Sequence, residues 1–238
     1  MQTSLLKRIG EWSVASRIRL PHGHMERMGE LWFLKQILEH QEVDCVLDVG
    51  ANIGQYSREL RGIGYKGHIV SFEPIASVFK TLSQEFASDA KWRGFQLALG
   101  AENAELTINV PRLTVMSSLL PSQHAQQDMR EELVSVRRLD SMLPGLKAEL
   151  DVKRIFLKMD TQGYDLEAFK GTVGAIAGIV GLQSELSVQP LYKGMPHYVE
   201  SLQAYEAAGF ELYNLSVVNR VESGGLLELN CFMRRPEC

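Results

Sequence analysis

The sequence predicts a doubly wound α/β domain, and three observations carry that reading. Apolar strand-like runs alternate with amphipathic helical runs through most of the chain, as in a parallel sheet covered on both faces. Acids and glycine turns sit at the ends of those strands, where such sheets keep their ligands. The last two strand-like runs, residues 210–217 and 226–233, flank a turn containing Gly224 and Gly225, which pairs them antiparallel.

The elements follow in order. Residues 26–40 (ERMGELWFLKQILEH) place apolar side chains at helical spacing. Residues 43–49 are a short apolar strand, and residues 54–61 open a second helix. Residues 67–72 form the next strand. Pro74 then suits the first turn of a helix that continues over 77–86. Residues 95–99 read as the third strand. The pattern changes there: 105–110 and 133–139 alternate like half-exposed strands around a polar stretch, 117–132. A hairpin-like insertion with a mobile middle is expected. Residues 139–143 make a short helical turn, 154–159 the fourth core strand, 164–169 a helix, and 179–184 the fifth strand. Residues 197–208 form an amphipathic helix stopped by Gly209.

No repeat and no Pro-, Gly- or Ser-rich linker splits the chain. The expected organisation is an N-terminal helical cap or leader over 1–30 and one domain over 31–238. With 238 residues, 45% of them hydrophobic, such a domain builds its core without staples. A net charge of -4 gives no global basic field, so no nucleic-acid partner is expected. Cys45, Cys231 and Cys238 have neither metal-ligand nor disulfide spacing, and reduced thiols in the cytoplasm are expected. No apolar run approaches the roughly 20 residues a membrane span needs. Lys7, Arg8, Arg17 and Arg19 stand against Glu11 near the start. A cap packed on its own domain is the preferred reading, with weak peripheral membrane contact as the other. Oligomeric state leaves no mark.

The run VLDVGANIGQYSRELR, residues 46–61, carries the first chemistry. Gly50 and Gly54 flank Asn52 in a strand-to-helix turn that lets a ligand approach the backbone. The dinucleotide pattern G-x-G-x-x-G is missing. Asp48 sits at the carboxyl end of the strand, where a pyrophosphate would be repelled but an ammonium or sulfonium attracted. S-adenosylmethionine carries both cations. Glu73 ends the second strand, where α/β nucleotide sites place the acceptor for ribose hydroxyls.

Two further runs end strands on the same edge. In KMDTQGYDLEAFKG, Asp160 closes the fourth strand. In QSELSVQPLYKGMPHY, Glu185 falls just past the fifth, followed by Tyr192, Lys193 and His197 in a loop where an acceptor would enter. Two neighbouring carboxylates can share a proton, orient a hydroxyl or hold a divalent cation. No metal is expected; a Mg2+ would take Asp160 and Glu185.

These blocks, in this order, resemble the FkbM family of S-adenosylmethionine-dependent methyltransferases. The likeness runs from about Leu31 to Arg235 and takes in Val136 to Asp140 and the AGFELYNL run. It implies a Rossmann-like class I methyltransferase fold, with a seven-stranded, mostly parallel sheet whose last strand is antiparallel. It implies O-methylation, commonly of a sugar hydroxyl in a glycolipid, polysaccharide or glycosylated natural product. Carried over by position, Asp48, Gly50, Asn52 and Gly54 bind the methionine portion and Glu73-Pro74 the ribose. Ala98 lies near adenine. Ser117 and Ser118 match a double serine, with Ser118 placed near the cofactor. Asp160 and Glu185 face the acceptor, and His197 is the reserve base. Asn230 departs from the family, where an aspartate is frequent, and its strand position argues a structural role. A methyltransferase-like binding domain without turnover, or an N-methyltransferase of a small molecule, are the other readings.

Overall fold

The computed structural model describes residues 22–123 and 129–236. The basic stretch over 7–19 and the middle of the insertion, 124–128, lie outside the described residues. Helix α1 (His22–His40) leads into β1 (Cys45–Val49), α2 (Gln55–Gly62), β2 (His68–Phe72), α3 (Ala76–Glu85) and β3 (Trp92–Phe95). Strands β4 (Ala98–Leu99), β5 (Ala104–Val110) and β6 (Arg130–Arg137) follow, then α4 (Leu139–Leu150), β7 (Ile155–Met159) and α5 (Asp165–Lys170). The chain closes with β8 (Ile179–Ser187), α6 (Tyr198–Ala207), β9 (Glu211–Arg220) and β10 (Leu226–Arg234).

Seven strands form one sheet in the order β3-β2-β1-β7-β8-β10-β9. Its first five strands pair parallel, and β10 runs antiparallel to both β8 and β9. This is the predicted Rossmann-like arrangement. Helices cover both faces, so β1 and β7 are buried at every position and show no polar alternation. Leu47 and Val49 pack with Leu157, Met159 and Leu139 in one core. Val46 points the other way, onto Leu34 and Ile37 of α1 and Leu60 of α2. Each fully buried Leu or Ile contributes about 1.5–3 kcal/mol. Helix α1 is thereby fixed against the sheet by its i, i+3, i+4 face of Leu34, Ile37 and Leu38.

Three sequence boundaries move. The expected third strand over 95–99 is two strands. Trp92–Phe95 extends the large sheet beside β2, while Ala98–Leu99 turns away to pair with β6 in a three-stranded sheet, β4-β6-β5. A tight turn between them, with Leu97 N–H donating to Phe95 O, makes the break. The expected turn over 139–143 is a 12-residue helix that carries Pro144 inside it. Leu139, Leu143 and Leu146 form one buried stripe, and that burial outweighs the hydrogen bond the proline forgoes. Strand β8 continues to Ser187, so Glu185 lies within it, opposite Asn230 of β10.

Candidate active site

The carboxyl ends of β1, β2 and β7 meet at one edge, and glycine lets them meet closely. Gly50 has φ +75, and a Cβ there would stand 2.0 Å from the backbone oxygen of Asp160. The β1 and β7 end loops therefore touch backbone to backbone. The N–H groups of Gly50 and Ala51 both donate to Phe72 O, which holds the loop over β2. Asn52, with φ 47, donates its backbone N–H to Glu73 Oε2 at 2.9 Å. The Ile75 N–H donates to Glu73 Oε1, also at 2.9 Å. Burial pushes the Glu73 carboxyl up to about 7, against the pull of those two donors.

A cavity of about 240 Å³ runs along this edge. At one end its wall is apolar and sequence-local: Pro74, Ile75, Ala98, Leu99 and Ile108, with Glu73 and Asn52 beside them. At the other end its wall is polar and assembled from distant elements. Arg27 comes from α1, Tyr56 and Glu59 from α2, Gln183 from β8 and Asn230 from β10. Buried Glu30 binds this end together, accepting from Gln183 Nε2 at 3.0 Å, Asn230 Nδ2 at 2.7 Å and Arg27 Nη1 at 2.8 Å. Arg27 also forks onto the carboxylate of Glu59.

Beneath the loop lies a buried ion pair. Asp48 and Lys158 are register partners on β1 and β7, and Lys158 Nζ stands 3.0 Å from Asp48 Oδ1. Burial alone would lower the ammonium pKa, but Asp48 and Asp160 outweigh it and hold Lys158 above the usual lysine range. Ser57 Oγ donates to the other Asp48 oxygen at 3.2 Å.

Several predicted site residues are placed elsewhere. Asp48 is 0% exposed, forms no part of the cavity wall, and spends its charge on Lys158, which does line the wall. Gly54 is also off the wall. A Cβ there would meet Phe86 at 2.4 Å, so its role is the packing of α2 on α3. Ser118 is buried beneath the surface, donating to Gln162 O at 2.7 Å, and its neighbour Ser117 takes the wall position instead. Glu185 stands behind the wall, accepting from Gln162 Nε2 at 3.0 Å. Burial, then the carboxylates of Asp160, Glu228 and Asp165, push its pKa well above the usual range. His197 is an exposed helix N-cap whose ring accepts from the Val199 N–H, and it does not reach the cavity. Gly50, Asn52, Glu73, Pro74, Ala98 and Asp160 do line it.

Asp160 is the one member of the predicted carboxylate pair on the wall, with its side chain 42% exposed. The sequence reading gave no role to Lys158, Gln162, Gln183, Glu30 or Arg27, and read Asn230 as structural; it lies on the wall. A lysine and an aspartate at matching places in two apolar strands were the available signal for the ion pair. The amides and α1 carry no local signal.

The donor set fits a nucleoside bearing cations. A buried carboxylate with spare acceptor capacity adjoins an apolar slot. The hydroxyls of Ser117 and Thr161, also wall residues, are buried without a partner among the described residues. Among those residues no three His, Cys, Asp or Glu side chains gather as a metal site, and no helix is long and apolar enough to cross a membrane.

The fold and this edge define a class I S-adenosylmethionine-dependent methyltransferase. The family profile for the methyltransferase FkbM domain matches residues 48–212, and the chain belongs to that family, with S-adenosylmethionine as its cofactor. No curated protein matches the chain. Solved structures share the fold at low identity. One is a putative S-adenosylmethionine-dependent methyltransferase from Listeria monocytogenes, with 8% identity and TM-score 0.51, covering 90% of this chain and 100% of that one. The N-methyltransferase NodS from Bradyrhizobium japonicum WM9 gives 9% identity and TM-score 0.51, covering 92% and 100%. Magnesium protoporphyrin IX methyltransferase from Synechocystis PCC 6803, with bound S-adenosylmethionine, gives 8% identity and TM-score 0.50, covering 90% and 80%.

Proposed function

We propose that this enzyme methylates a hydroxyl oxygen of a small-molecule or glycan acceptor in the cytoplasm, a sugar hydroxyl being the preferred class. One observation carries the reading: Asp160 is a half-exposed carboxylate on the cavity wall, in backbone contact with the Gly50 loop. A carboxylate only accepts hydrogen bonds, and an alcohol needs such an acceptor as it attacks. When bound, the cofactor supplies an electrophilic methyl group on a sulfonium. Glu73, with Asn52 and Ile75 N–H groups fixing both its oxygens, receives the ribose hydroxyls. Pro74, Ile75 and Ala98 exclude water from the base. Asp160 takes the acceptor's proton on a carboxylate oxygen, or orients the hydroxyl so that its lone pair faces the methyl carbon. Positioning of this kind lowers a barrier by up to roughly 7–11 kcal/mol in ideal cases. Lys158 keeps the floor beneath from repelling Asp160.

The test offers S-adenosylmethionine and a panel of sugars and small amines to the purified protein and follows S-adenosylhomocysteine release. Asp160→Asn should lower turnover by about 100- to 10,000-fold while S-adenosylhomocysteine binding is kept. Intact turnover in that variant would remove Asp160 from the chemistry. Methylation of the amines alone would replace the oxygen acceptor with nitrogen.

A further inference from the structure

Gln162 sits at the centre of the hydrogen bonds behind the cavity wall. Its side-chain amide makes three hydrogen bonds. Nε2 donates to Asp160 Oδ1 at 3.2 Å and to Glu185 Oε2 at 3.0 Å, and Oε1 lies 3.0 Å from the Tyr192 hydroxyl, whose single proton it shares with Met116 O, also at 3.0 Å. Its backbone oxygen accepts from Ser118 Oγ at 2.7 Å. Its own backbone has φ 53, a left-handed conformation that costs a residue with a side chain and that glycine adopts freely. Gly163 follows at φ +91. A glutamine held in a conformation suited to glycine, with both amide hydrogens donated to carboxylates, points to a role for its side chain.

The partners explain what that side chain does. Asp160 directly follows β7 and reaches the cavity; Glu185 lies on β8 and does not. Two carboxylates this close repel each other, and Asp165 and Glu228 add to the negative field around Glu185. Lys158 is the cation that answers it, 3.7 Å from Asp160 Oδ2. A neutral amide donating to both carboxylates supplies hydrogen bonds without adding charge. It leaves Asp160 with one oxygen tied to Gln162, the other near Lys158, and its remaining lone pairs toward the cavity.

We propose that Gln162 is a positioning residue that aims the Asp160 carboxylate into the cavity and holds it apart from Glu185, itself braced by Tyr192 and Ser118. The proposal rests on the reading of Asp160 as the acceptor-facing acid. Its test needs no acceptor. Side-chain carboxyls are labelled with 13C and titrated by NMR in the whole protein. Asp160→Asn and Glu185→Gln identify the two resonances by their loss. Gln162→Gly deletes the amide and suits the backbone, so the fold should be kept, with a thermal midpoint equal to the wild type or higher. The Glu185 midpoint should move up, because it loses a donor that favours its charged form, and the Asp160 carboxyl resonance should shift as its hydrogen bond to Nε2 is lost. Gln162→Asn, whose amide is one methylene shorter and which tolerates the same φ, should restore part of the shift. An unmoved Glu185 midpoint or an unshifted Asp160 resonance in a folded Gln162→Gly protein would overturn the proposal, and so would changes that Gln162→Asn leaves wholly uncorrected. Should Asp160→Asn retain full turnover while these signals move as stated, the catalytic reading fails and the Gln162 clamp stands.

Discussion

The two ends of the cavity are built by different means. The end with Glu73 is made of Asn52 and Glu73 with apolar side chains from residues 74–75, 98–99 and 108. The end with Arg27 is made of long polar side chains from α1, α2, β8 and β10, joined through Glu30. A cofactor common to many enzymes suits an end fixed by main chain. An acceptor that differs between enzymes suits an end fixed by exchangeable side chains. The Asp48–Lys158 pair lies beneath the loop that adjoins both.

Breaking that shared floor should cost most. Lys158→Met leaves Asp48 fully buried and without its cation, a loss of about 3–5 kcal/mol, readable by urea unfolding. Next comes Gly50→Ala. The new Cβ collides with the Asp160 backbone in a left-handed conformation, so roughly 1–3 kcal/mol of stability should go, and cofactor binding with it. A loss of stability alone, with normal S-adenosylhomocysteine affinity, would separate the loop from the cofactor end.

The pH dependence sharpens the contrast further. Glu73 is raised to about 7 in the folded protein by burial. Between its unfolded value, about 4.3, and 7, the folded state holds a proton that the unfolded chain has released. Its contribution to stability is therefore present at low pH and lost as pH rises through that window. Asp165, also raised to about 7 by burial, acts in the same direction. Glu73→Gln should remove its share of the slope in a series of unfolding curves from pH 5 to 8. Ligand binding should respond oppositely. On the proposed seating of the ribose at Glu73, its hydroxyls favour the charged carboxylate, so S-adenosylhomocysteine affinity should fall below pH 7, by at most roughly tenfold per pH unit, and this dependence should vanish in Glu73→Gln. The smallest effect belongs to His197. His197→Ala removes an exposed N-cap, worth about 0.5–1 kcal/mol, and should leave cofactor affinity unchanged by calorimetry.

Legibility in the sequence follows the same division. The alternation of strands and helices, the closing antiparallel pair and the turn residues and acid at Gly50, Asn52 and Glu73 were readable because each is a local pattern: an apolar run, then a turn residue, then an acid. Where one expected strand, 95–99, held two destinies, local pattern failed, because the turn at Leu97 is set by pairing with β6. Asp48 was read as facing the ligand because a charge at a strand end suggests one. Its true partner, Lys158, lies 110 residues away and becomes its neighbour only through strand register. Glu185 and His197 were placed by sequence proximity to a strand end; β8 runs two residues beyond Glu185, and His197 starts a helix. The far end of the cavity was unreadable in principle, since Glu30, Gln183 and Asn230 are surface-like residues until the fold brings three elements together.

The most direct measurement of the two-ended account is a calorimetric titration of S-adenosylhomocysteine into the wild type, Glu73→Gln and Asp160→Asn at pH 8, with folding checked by near-UV circular dichroism. The account predicts that Glu73→Gln weakens binding by roughly tenfold or more, the loss of a charge-assisted hydrogen bond, while Asp160→Asn binds within about twofold of the wild type, a difference below 0.5 kcal/mol. The reverse order, or equal losses in both variants, would contradict it.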